Sequence, residues 1–508
     1  MNVFRLLSNA AMHRGDAPAI QFGPRQASYR ELEAEAAQFG SGLIASGIKP
    51  GERVVIYLRN CFEYPIALFG LFGAGIVAVP VNVKLHPREA AYIIEDCGAR
   101  AVVVDADAAE AIAAALPEGE RPRLIVVGAQ GAVNSFETIL QTGDAEAPVS
   151  EAMPDDTVWI FYTSGTTGRP KGAMLSHRNL IAMTVNCLAD IYRFGPDDRV
   201  LHAAPLSHGS GVYLIPALSG GSENIIYDQA GFEPDAVLKT IERERITALA
   251  FVAPTMIVRL LDGDPHHDTS TLRCVVYGGA PIHIEHLRAA VRRFGPIFVQ
   301  LYGQGEAPMT ISALPARDHL ISEEEVLRSA GFVRTGVEVR ILAEDGSEQP
   351  AGQSGEIAVR GDVVMTGYWN NPEATAAALS NGWLRTGDIG LFDGSGRLHL
   401  LDRRHDTIIS GGSNIYPREV EDVLVRHPSV KEAIVFGVPD KEWGECVTAA
   451  VVLEDAAPAV TGETLVNFCR EHLASFKKPK TVHILQELPK NAYGKVLRRE
   501  LKARFGKA

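Results

Sequence analysis

The sequence predicts an α/β protein with a large N-terminal domain of parallel βαβ-type sheets, a small β-rich subdomain and a C-terminal α+β domain. Short β-branched runs alternate with helical patterns in the first half of the chain. Glycine-rich turns and short strands follow from about Asp345, and the pattern changes again after Arg403. Because 508 residues exceed what one core usually supports, we predict two domains, 1–402 and 403–508.

The strands of the first half are predicted from runs of apolar, mostly β-branched residues. Helices are expected after Glu63 and after Pro87, which separate consecutive strands as parallel pairing requires. In such sheets the functional loops lie at the carboxyl ends of the strands. The predicted strands are 53–58, 76–81, 101–105 and 123–127 in a first series and 158–164, 248–254, 274–280 and 297–303 in a second.

The C-terminal region alternates helices and strands over a length typical of one small domain. We predict helices at 417–428 and 464–474 and strands at 431–440, 447–455 and 480–488.

Composition excludes several functions. A net charge of −13 argues against general nucleic-acid binding. The six cysteines contain no Cys-x-x-Cys pair, so we expect reduced thiols, without zinc or disulfides.

The N-terminus lacks a continuous apolar segment, which favours a cytoplasmic protein without a secretory signal. The uncharged stretch 64–83 contains Pro65 and Pro80, and we predict a buried helix and strand there rather than a transmembrane segment.

The segment 162–172, YTSGTTGRPKG, has the composition of an anion-binding loop. We expect it directly after a strand and directly before a helix capped by Ser176. Hydroxyls, glycine backbone amides and one lysine can surround a phosphate, although a flexible connector has a similar composition. The ordinary P-loop spacing G-x-x-x-x-G-K-[ST] does not fit this segment. The candidate phosphate-binding residues are Thr163, Ser164, Gly165, Thr166, Thr167, Gly168 and Lys171.

With the later motifs, this loop resembles the signature of the adenylate-forming superfamily, which includes acyl-CoA synthetases, peptide-synthetase adenylation domains and firefly luciferase. Within it, the chain is most similar to AMP-dependent acid–CoA ligases. The motifs follow the order of the family over nearly the whole chain: YGGAP (277–281), YGQGE (302–306), LRTGD (384–388), LDRRHD (401–406) and PKNAYGK (489–495). The resemblance implies ATP-dependent formation of an acyl-AMP with release of pyrophosphate, followed by acyl transfer to coenzyme A.

The resemblance also implies roles for individual residues. Lys495 would bridge the substrate carboxylate and the α-phosphate, His208 would lie beside the acyl site, and Glu306 with Thr163 would hold Mg²⁺. Asp388 and Arg403 would bind the ribose. The adenine site would consist of Gly279, Ala280, Pro281, Tyr302, Gly303 and Gln304.

Thioester formation needs a rearranged site, and the resemblance implies that the C-terminal domain is mobile, with a hinge at His405. Residues matching the pantetheine tunnel and the coenzyme A contacts are Gly411, Gly412, Trp443, Phe476 and Lys478. Two positions depart from the family pattern. His405 stands where Lys or Asp is usual, and Gly305 stands where most relatives have Thr or Ser.

The candidate acyl pocket is apolar or small, which favours an apolar acid, either aromatic, such as a benzoate or cinnamate, or a medium-chain fatty acid. Its predicted residues are Tyr213, Ala253, Met256, Gly303, Ala307 and Met309. The expected partners are thus this small-molecule acid, ATP and coenzyme A. The sequence leaves the oligomeric state open, with a homodimer among the options.

The same residues bear on three alternative functions. A ligase that loads a carrier-protein thiol or stops at the acyl-AMP remains an alternative. A non-catalytic binding module would be expected to lose Lys495, Glu306 or Asp388, and all three are present. A dehydrogenase is disfavoured because the glycines of 70–75 lack the dinucleotide-binding context.

Overall fold

The computed structural model describes the chain except for short stretches: the described ranges are 1–119, 121–129, 134–163, 169–229, 231–280, 282–321, 323–403, 406–410, 413–440, 443–454, 460–490 and 496–506. The chain divides into two compact units. Unit 1 contains Met1–Val339 and Val359–Leu384, and unit 2 contains Arg340–Ala358 and Arg385–Ala508. These units are defined by compactness. The boundary expected between residues 402 and 403 is instead that of a C-terminal domain that moves independently, and it stays a prediction.

The first part of unit 1 alternates strands and helices as predicted. The predicted strands 53–58, 76–81, 101–105 and 123–127 are confirmed to within two residues at each end. The elements are α1 (Phe4–Arg14), β1 (Pro18–Phe22), β2 (Arg25–Ser28), α2 (Tyr29–Ala45), β3 (Arg53–Tyr57), α3 (Glu63–Gly73), β4 (Val77–Pro80), α4 (Pro87–Asp96), β5 (Ala101–Asp105), α5 (Ala106–Ala115), β6 (Arg123–Val127) and α6 (Phe136–Thr142).

The second part of unit 1 repeats this pattern and ends in antiparallel strands. Its elements are β7 (Thr157–Thr163), β8 (Lys171–Ser176), α7 (His177–Asp190), β9 (Arg199–His202), α8 (Gly209–Gly220), β10 (Glu223–Ile226), α9 (Pro234–Glu244), β11 (Ala248–Val252), α10 (Pro254–Asp262), β12 (Cys274–Gly278), α11 (Ile284–Phe294), β13 (Phe298–Gln304), β14 (Ala307–Leu314), a 3₁₀ turn (Ala316–Leu320), α12 (Glu324–Arg328) and β15 (Phe332–Val333).

The remaining elements form the β-rich stretch and the C-terminal α+β region, and the chain passes between the units within the β-rich stretch. They are β16 (Val337–Leu342), β17 (Gly355–Gly361), β18 (Gly367–Tyr368), α13 (Pro372–Ala378), β19 (Leu379–Ser380), β20 (Trp383–Phe392), β21 (Leu398–Arg403), β22 (Ile408–Ser410), β23 (Ser413–Ile415), α14 (Pro417–Val425), β24 (Val430–Asp440), β25 (Gly444–Leu453), α15 (Gly462–His472), β26 (Thr481–Leu485) and α16 (Arg498–Phe505).

Two sheets organise the described part of unit 1. One has the order β15-β14-β13-β12-β11-β9-β10-β1-β2 and is parallel from β13 to β1. The other has the order β18-β8-β7-β4-β3-β5-β6 and is parallel from β7 to β6. In unit 2 the strands β23-β22-β25-β24, with β26 beside β25, carry α14, α15 and α16. The predicted fold class is therefore confirmed.

The segment after the candidate phosphate loop differs from the prediction. Instead of entering a helix directly, the chain first forms β8, which pairs antiparallel with β7 and places Lys171 opposite Thr163. The backbone hydrogen bonds of this hairpin outweigh local helix signals before residue 177. The predicted cap is confirmed: Ser176 Oγ accepts a hydrogen bond from Asn179 N, and Ser176 N donates to Asn179 Oδ1 at 2.7 Å.

The stretch 64–83 contains the buried helix α3 and the buried strand β4, as predicted. No helix in the described ranges is long and apolar enough to cross a bilayer. Of the cysteines, Cys61 and Cys446 are partly exposed and the other four are buried.

Buried histidines predict a loss of stability in acid. Burial lowers the pKa of His177, His202, His208 and His319 from 6.5 to about 4. Between these two pH values the unfolded chain binds protons that the folded chain does not, so the free energy of unfolding falls as pH falls. The expected slope is about 1.4 kcal/mol per pH unit for each histidine.

Urea unfolding between pH 7 and pH 5 checks this prediction. His202 is fully buried, with Nδ1 2.9 Å from Ser210 Oγ and Nε2 2.9 Å from Asn224 Oδ1. We expect His202→Gln to reduce the pH slope by one histidine's share, whereas an unchanged slope would show that this residue is not protonated on unfolding.

Candidate active site

The strands around the candidate phosphate loop hold its two ends together. Thr163 at the end of β7 lies opposite Lys171 at the start of β8, and Thr163 Oγ1 is 3.5 Å from the Lys171 carbonyl oxygen. Both proposed phosphate ligands therefore lie on one hairpin. The residues predicted between them, Ser164, Gly165, Thr166, Thr167 and Gly168, lie outside the described residues.

Glu306 is the centre of a hydrogen-bonded group beside this hairpin. Its side chain is buried, and Oε1 accepts hydrogen bonds from Tyr368 Oη at 2.7 Å and from Thr163 Oγ1 at 3.3 Å. Lys171 Nζ lies 5.4 Å from the centre of the Tyr368 ring, a cation–π distance. The structure thus brings together three residues that the sequence proposed for phosphate and metal, and it adds a fourth, Tyr368.

Tyr368 was missed because its position depends on strand pairing. It lies on β18, which pairs antiparallel with β8, so Tyr368 stands opposite Ala173. Burial and the neighbouring Glu306 raise the pKa of Tyr368. Its hydroxyl therefore stays protonated at neutral pH and serves as a donor to the carboxylate.

The proposed adenine site lies at the ends of two adjacent parallel strands. Gly278 of β12 pairs with Leu301 of β13, so the segments that follow both strands emerge side by side. Gly279 (φ +81°) and Ala280 are exposed, whereas Tyr302 is buried. Gly303 and Gln304 continue β13 as half-buried residues, and Pro281 lies outside the described residues.

The packing at Gly305 gives a physical reason for its departure from the family pattern. A Cβ atom added there would lie 2.7 Å from Phe161 Cδ1 and would overlap Thr163 Cγ2. The Phe161 ring fills the space that a larger residue at 305 would need. Phe161 also contacts the proposed acyl site, since its ring centre is 5.0 Å from that of His208.

Two residues with unusual backbone conformations define the acyl region beside His208. Phe251 and Met309 have φ values of 50° and 58°, a region that side-chain-bearing residues rarely adopt. Both side chains converge on Gly209, where an added Cβ would overlap Phe251 Cδ1 and Met309 Cε. Tyr213 is buried and stacks on Phe251 with ring centres 6.4 Å apart.

The other predicted pocket residues do not form one group. Gly303 packs closely against the backbone of Met309, because an added Cβ at Gly303 would be 2.5 Å from Met309 N. Ala307 is fully buried at the start of β14. Met256 packs against a neighbouring apolar cluster, and Ala253 is the half-buried residue that precedes α10. Sequence analysis missed Phe251, whose only local signal was its place near the end of a parallel strand.

In unit 2, the two proposed ribose ligands lie on paired strands. Asp388 of β20 is opposite Arg403 of β21, and Arg403 Nε is 3.3 Å from Asp388 Oδ1. Asp388 is buried, whereas Arg403 is partly exposed. The pairing sets both side chains in one place although they are fifteen positions apart in sequence.

A partly buried ion cluster follows the proposed lysine motif. Lys495 itself and His405 lie outside the described residues. Arg498, the first residue of α16, is 2.9 Å from Asp406 Oδ2, 2.7 Å from Glu421 Oε1 and 3.3 Å from Asp402 Oδ1. Burial alone would lower the pKa of Arg498, but these carboxylates raise it, so the guanidinium stays charged. The cluster ties α16, which follows the lysine motif, to Asp402 and Asp406, which lie on either side of residues 404–405.

The proposed coenzyme A contacts are surface residues. Trp443 is 50% exposed and Phe476 is 54% exposed, which leaves both rings available for stacking. Lys478 is half-buried, and its neighbour Lys477 is bound to Glu419 at 2.7 Å. Gly411 and Gly412 lie outside the described residues.

Comparison with known proteins agrees with this arrangement. The family model described as AMP-binding enzyme matches residues 7–369, and that of the AMP-binding enzyme C-terminal domain matches residues 419–495. The chain belongs to the AMP-binding enzyme family. The suspected resemblance to adenylate-forming acyl-CoA synthetases is thereby confirmed.

Relatives of this acyl-CoA synthetase act on different acids. A feruloyl-CoA synthase of Amycolatopsis sp is 39% identical over 495 residues, covering 96% of both chains. A medium/long-chain-fatty-acid–CoA ligase of Mycobacterium tuberculosis is 33% identical, covering 98% of this chain and 89% of the relative. ATP-bound MatB from Rhodopseudomonas palustris has a TM-score of 0.90 at 31% identity, covering 100% of this chain and 99% of MatB.

The synthetase is an AMP-forming acid–thiol ligase. Its substrates are ATP, coenzyme A and a carboxylic acid. The acid is converted first to an acyl-AMP and then to a thioester of coenzyme A.

Proposed function

We propose that this acyl-CoA synthetase activates an apolar aromatic acid, in which a ring is joined to the carboxylate directly or through a short chain. The observation that supports this most is the aromatic lining of the acyl region. Phe161 contacts His208, Tyr213 stacks on Phe251, and the Phe251 side chain reaches Gly209, the residue after His208. Flat rings stack favourably on such surfaces. The feruloyl-CoA synthase relative supports the same class.

A medium-chain fatty acid is the second candidate. The ligase of Mycobacterium tuberculosis is named for such acids, and Met309 is a side chain that adapts to many apolar shapes. The lining favours the aromatic acid, because buried Tyr213 stacks on Phe251 and such rings favour a flat aromatic partner.

The first step requires positive charge more than proton transfer, because the carboxylate and the α-phosphate of ATP repel each other. In the proposed mechanism Lys495 bridges the two, and Lys171 neutralises the outer phosphates. Thr163 and the loop that follows it donate hydrogen bonds to the phosphate oxygens. Asp388 accepts from the ribose hydroxyls, and Tyr302 packs against the adenine.

Mg²⁺ is the proposed cofactor, and the described residues fit it. Magnesium prefers oxygen ligands, usually one or two carboxylates together with phosphates and water. Glu306 is a buried carboxylate whose hydrogen bonds, among the described residues, come from the hydroxyls of Tyr368 and Thr163. When bound, Mg²⁺ neutralises charge on the phosphates. Glu306 would hold the ion, with Thr163 beside it.

For the second step, we propose that domain 403–508 rotates about His405. Lys495 then leaves the reaction centre, and Gly411 and Gly412 form the walls of a narrow pantetheine tunnel. The exposed rings of Trp443 and Phe476 suit stacking on the adenine of coenzyme A, and Lys478 suits its phosphates.

The proposed function is tested by incubating the purified protein with ATP, Mg²⁺ and coenzyme A. The acid panel contains benzoates, cinnamates and C4 to C12 fatty acids, and both AMP and thioester are measured. We expect the highest kcat/KM with an aromatic acid. Preferential activation of the fatty acids would contradict the aromatic assignment, and acyl-AMP without any thioester would point to a carrier-protein thiol as acceptor.

Tyr368→Phe is expected to weaken Mg²⁺ use. Removing the hydroxyl deprives Glu306 of its shortest hydrogen bond, 2.7 Å long, and lets the carboxylate turn away from the metal position. A hydrogen bond to a charged group contributes about 1.5–3 kcal/mol, so the Mg²⁺ concentration for half-maximal ATP binding should rise about tenfold or more. Calorimetric titration of ATP at several Mg²⁺ concentrations measures this without turnover.

Tyr192→Phe is the matched control. Tyr192 Oη also donates to a carboxylate, Asp198 Oδ1 at 2.8 Å, but it lies outside the proposed nucleotide site. An equal rise in both variants would indicate a general structural effect rather than a role for Tyr368.

A further inference from the structure

Arg334 is a buried arginine with unused hydrogen-bonding capacity. The residue is 3% exposed, and Nη1 donates to the Met309 carbonyl oxygen at 2.7 Å. Nε lies 3.7 Å from Asp190 Oδ2, within ion-pair range but too far for a hydrogen bond. Among the described residues, Nε and Nη2 have no hydrogen-bond partner. Such buried donors are rare and costly in folded proteins, so a ligand or water is expected to meet them.

Asn186 on α7 offers the complementary group. It is 2% exposed, and its Nδ2 donates to the Thr335 carbonyl oxygen at 2.8 Å. Its Oδ1 accepts no hydrogen bond from the described part of the chain. Thr335 is itself fixed, because its N and Oγ1 donate to the two carboxylate oxygens of Asp190 at 2.7 and 2.8 Å. Arg334 and Asn186 are thus held in place around one short segment.

This polar pair adjoins the acyl region. Arg334 binds the carbonyl oxygen of Met309, whose side chain contacts Gly209 together with Phe251. Asn186 precedes Cys187, which belongs to the same apolar cluster as Tyr213 and Phe251. Burial raises the pKa values of Cys187 and Tyr213, and the Arg334 charge opposes this rise for both, as expected for a guanidinium close to them.

We propose that Arg334 and Asn186 form the polar end of the acyl pocket and bind a hydroxyl group at the end of the acid opposite its carboxylate. The proposal rests on the proposed function and narrows it to hydroxylated aromatic acids. A hydroxyl group is both an acceptor and a donor. Its oxygen would accept a hydrogen bond from the Arg334 guanidinium, and its proton would be donated to Asn186 Oδ1, so one group would give a partner to each residue. A methyl group would satisfy neither, and a second carboxylate would face the oxygens of Asn186 and Asp190.

The test compares acids that differ only in this hydroxyl group. The kcat/KM values for acyl-AMP formation are measured with 4-hydroxycinnamate against cinnamate and with 4-hydroxybenzoate against benzoate. We expect the wild-type protein to prefer the hydroxylated member of at least one pair by about 10- to 100-fold. Arg334→Met and Asn186→Leu should each reduce this preference, measured as the ratio of the two kcat/KM values, to near unity.

Arg317→Met is the matched control, because the Arg317 side chain is 84% exposed and should leave the preference unchanged. Should Arg334→Met fail to fold, Asn186→Leu decides the matter by the same ratio. Equal rates for both members of each pair would overturn this inference alone and indicate that the polar pair binds water. Activation of fatty acids only would overturn both the inference and the aromatic assignment.

Discussion

Lys495→Ala is expected to reduce the rate of acyl-AMP formation by about 100- to 1,000-fold, the usual loss when one preplaced group that stabilises transition-state charge is removed. The carboxylate and the α-phosphate are both anionic, so the first step depends on the cation between them. Pyrophosphate release in a single turnover measures this step directly. Conversion of preformed acyl-AMP to the thioester should be retained, because Lys495 has no part in that step of the proposed mechanism.

Lys490→Ala is the matched control for this prediction. Lys490 lies in the same motif, and its Nζ is 2.6 Å from Glu432 Oε2 in a partly exposed ion pair. Such pairs contribute at most about 1 kcal/mol to stability, so acyl-AMP formation should stay close to the wild-type rate. If the two substitutions slow adenylation equally, Lys495 has no special role in the chemistry.

Gly209→Ala is expected to lower kcat/KM for the acid by about 5- to 150-fold, the equivalent of the 1–3 kcal/mol that overpacking usually costs. The added methyl group would overlap Phe251 Cδ1 and Met309 Cε. Phe251 and Met309 both have strained backbone conformations. We therefore expect their side chains, rather than their backbones, to move, and to move into the space proposed for the acid. The affinity for ATP, measured by calorimetry without acid, should not change.

Gly195→Ala provides the comparison. An added Cβ at Gly195 has its nearest neighbour, Asp198 Oδ2, at 3.9 Å, so the methyl group fits without displacement. Normal activity of Gly209→Ala with every acid would show that Phe251 and Met309 do not border the acyl pocket.

Most strands could be predicted because their signal is local. The runs 101–105 and 123–127 follow Arg100 and Pro122 and became β5 and β6 without change. A strand buried in a parallel sheet needs apolar residues on both faces, which gives a continuous run that is easy to identify. The helix cap at Ser176 was predictable for a similar reason, since its partner Asn179 is three residues away.

The strand β8 could not be predicted in the same way. Its residues follow a glycine-rich loop and precede a helix, and nothing in the short run 171–176 requires an extended backbone. Its conformation depends on hydrogen bonds with β7 on one side and with β18 on the other. This pairing is also what brings Tyr368 to Glu306.

The sequence by itself determined the fold class, the family and the candidate residues for ATP, coenzyme A and acid, because these depend on local patterns and on motifs in a characteristic order. Only the tertiary structure showed that Phe161 and Thr163 exclude a larger residue at Gly305 and that Phe251 and Met309 converge on Gly209. It also showed that Arg334 and Asn186 have polar atoms without a partner among the described residues. These features arise from contacts between residues far apart in the chain, where burial and packing, rather than local sequence, decide which groups meet.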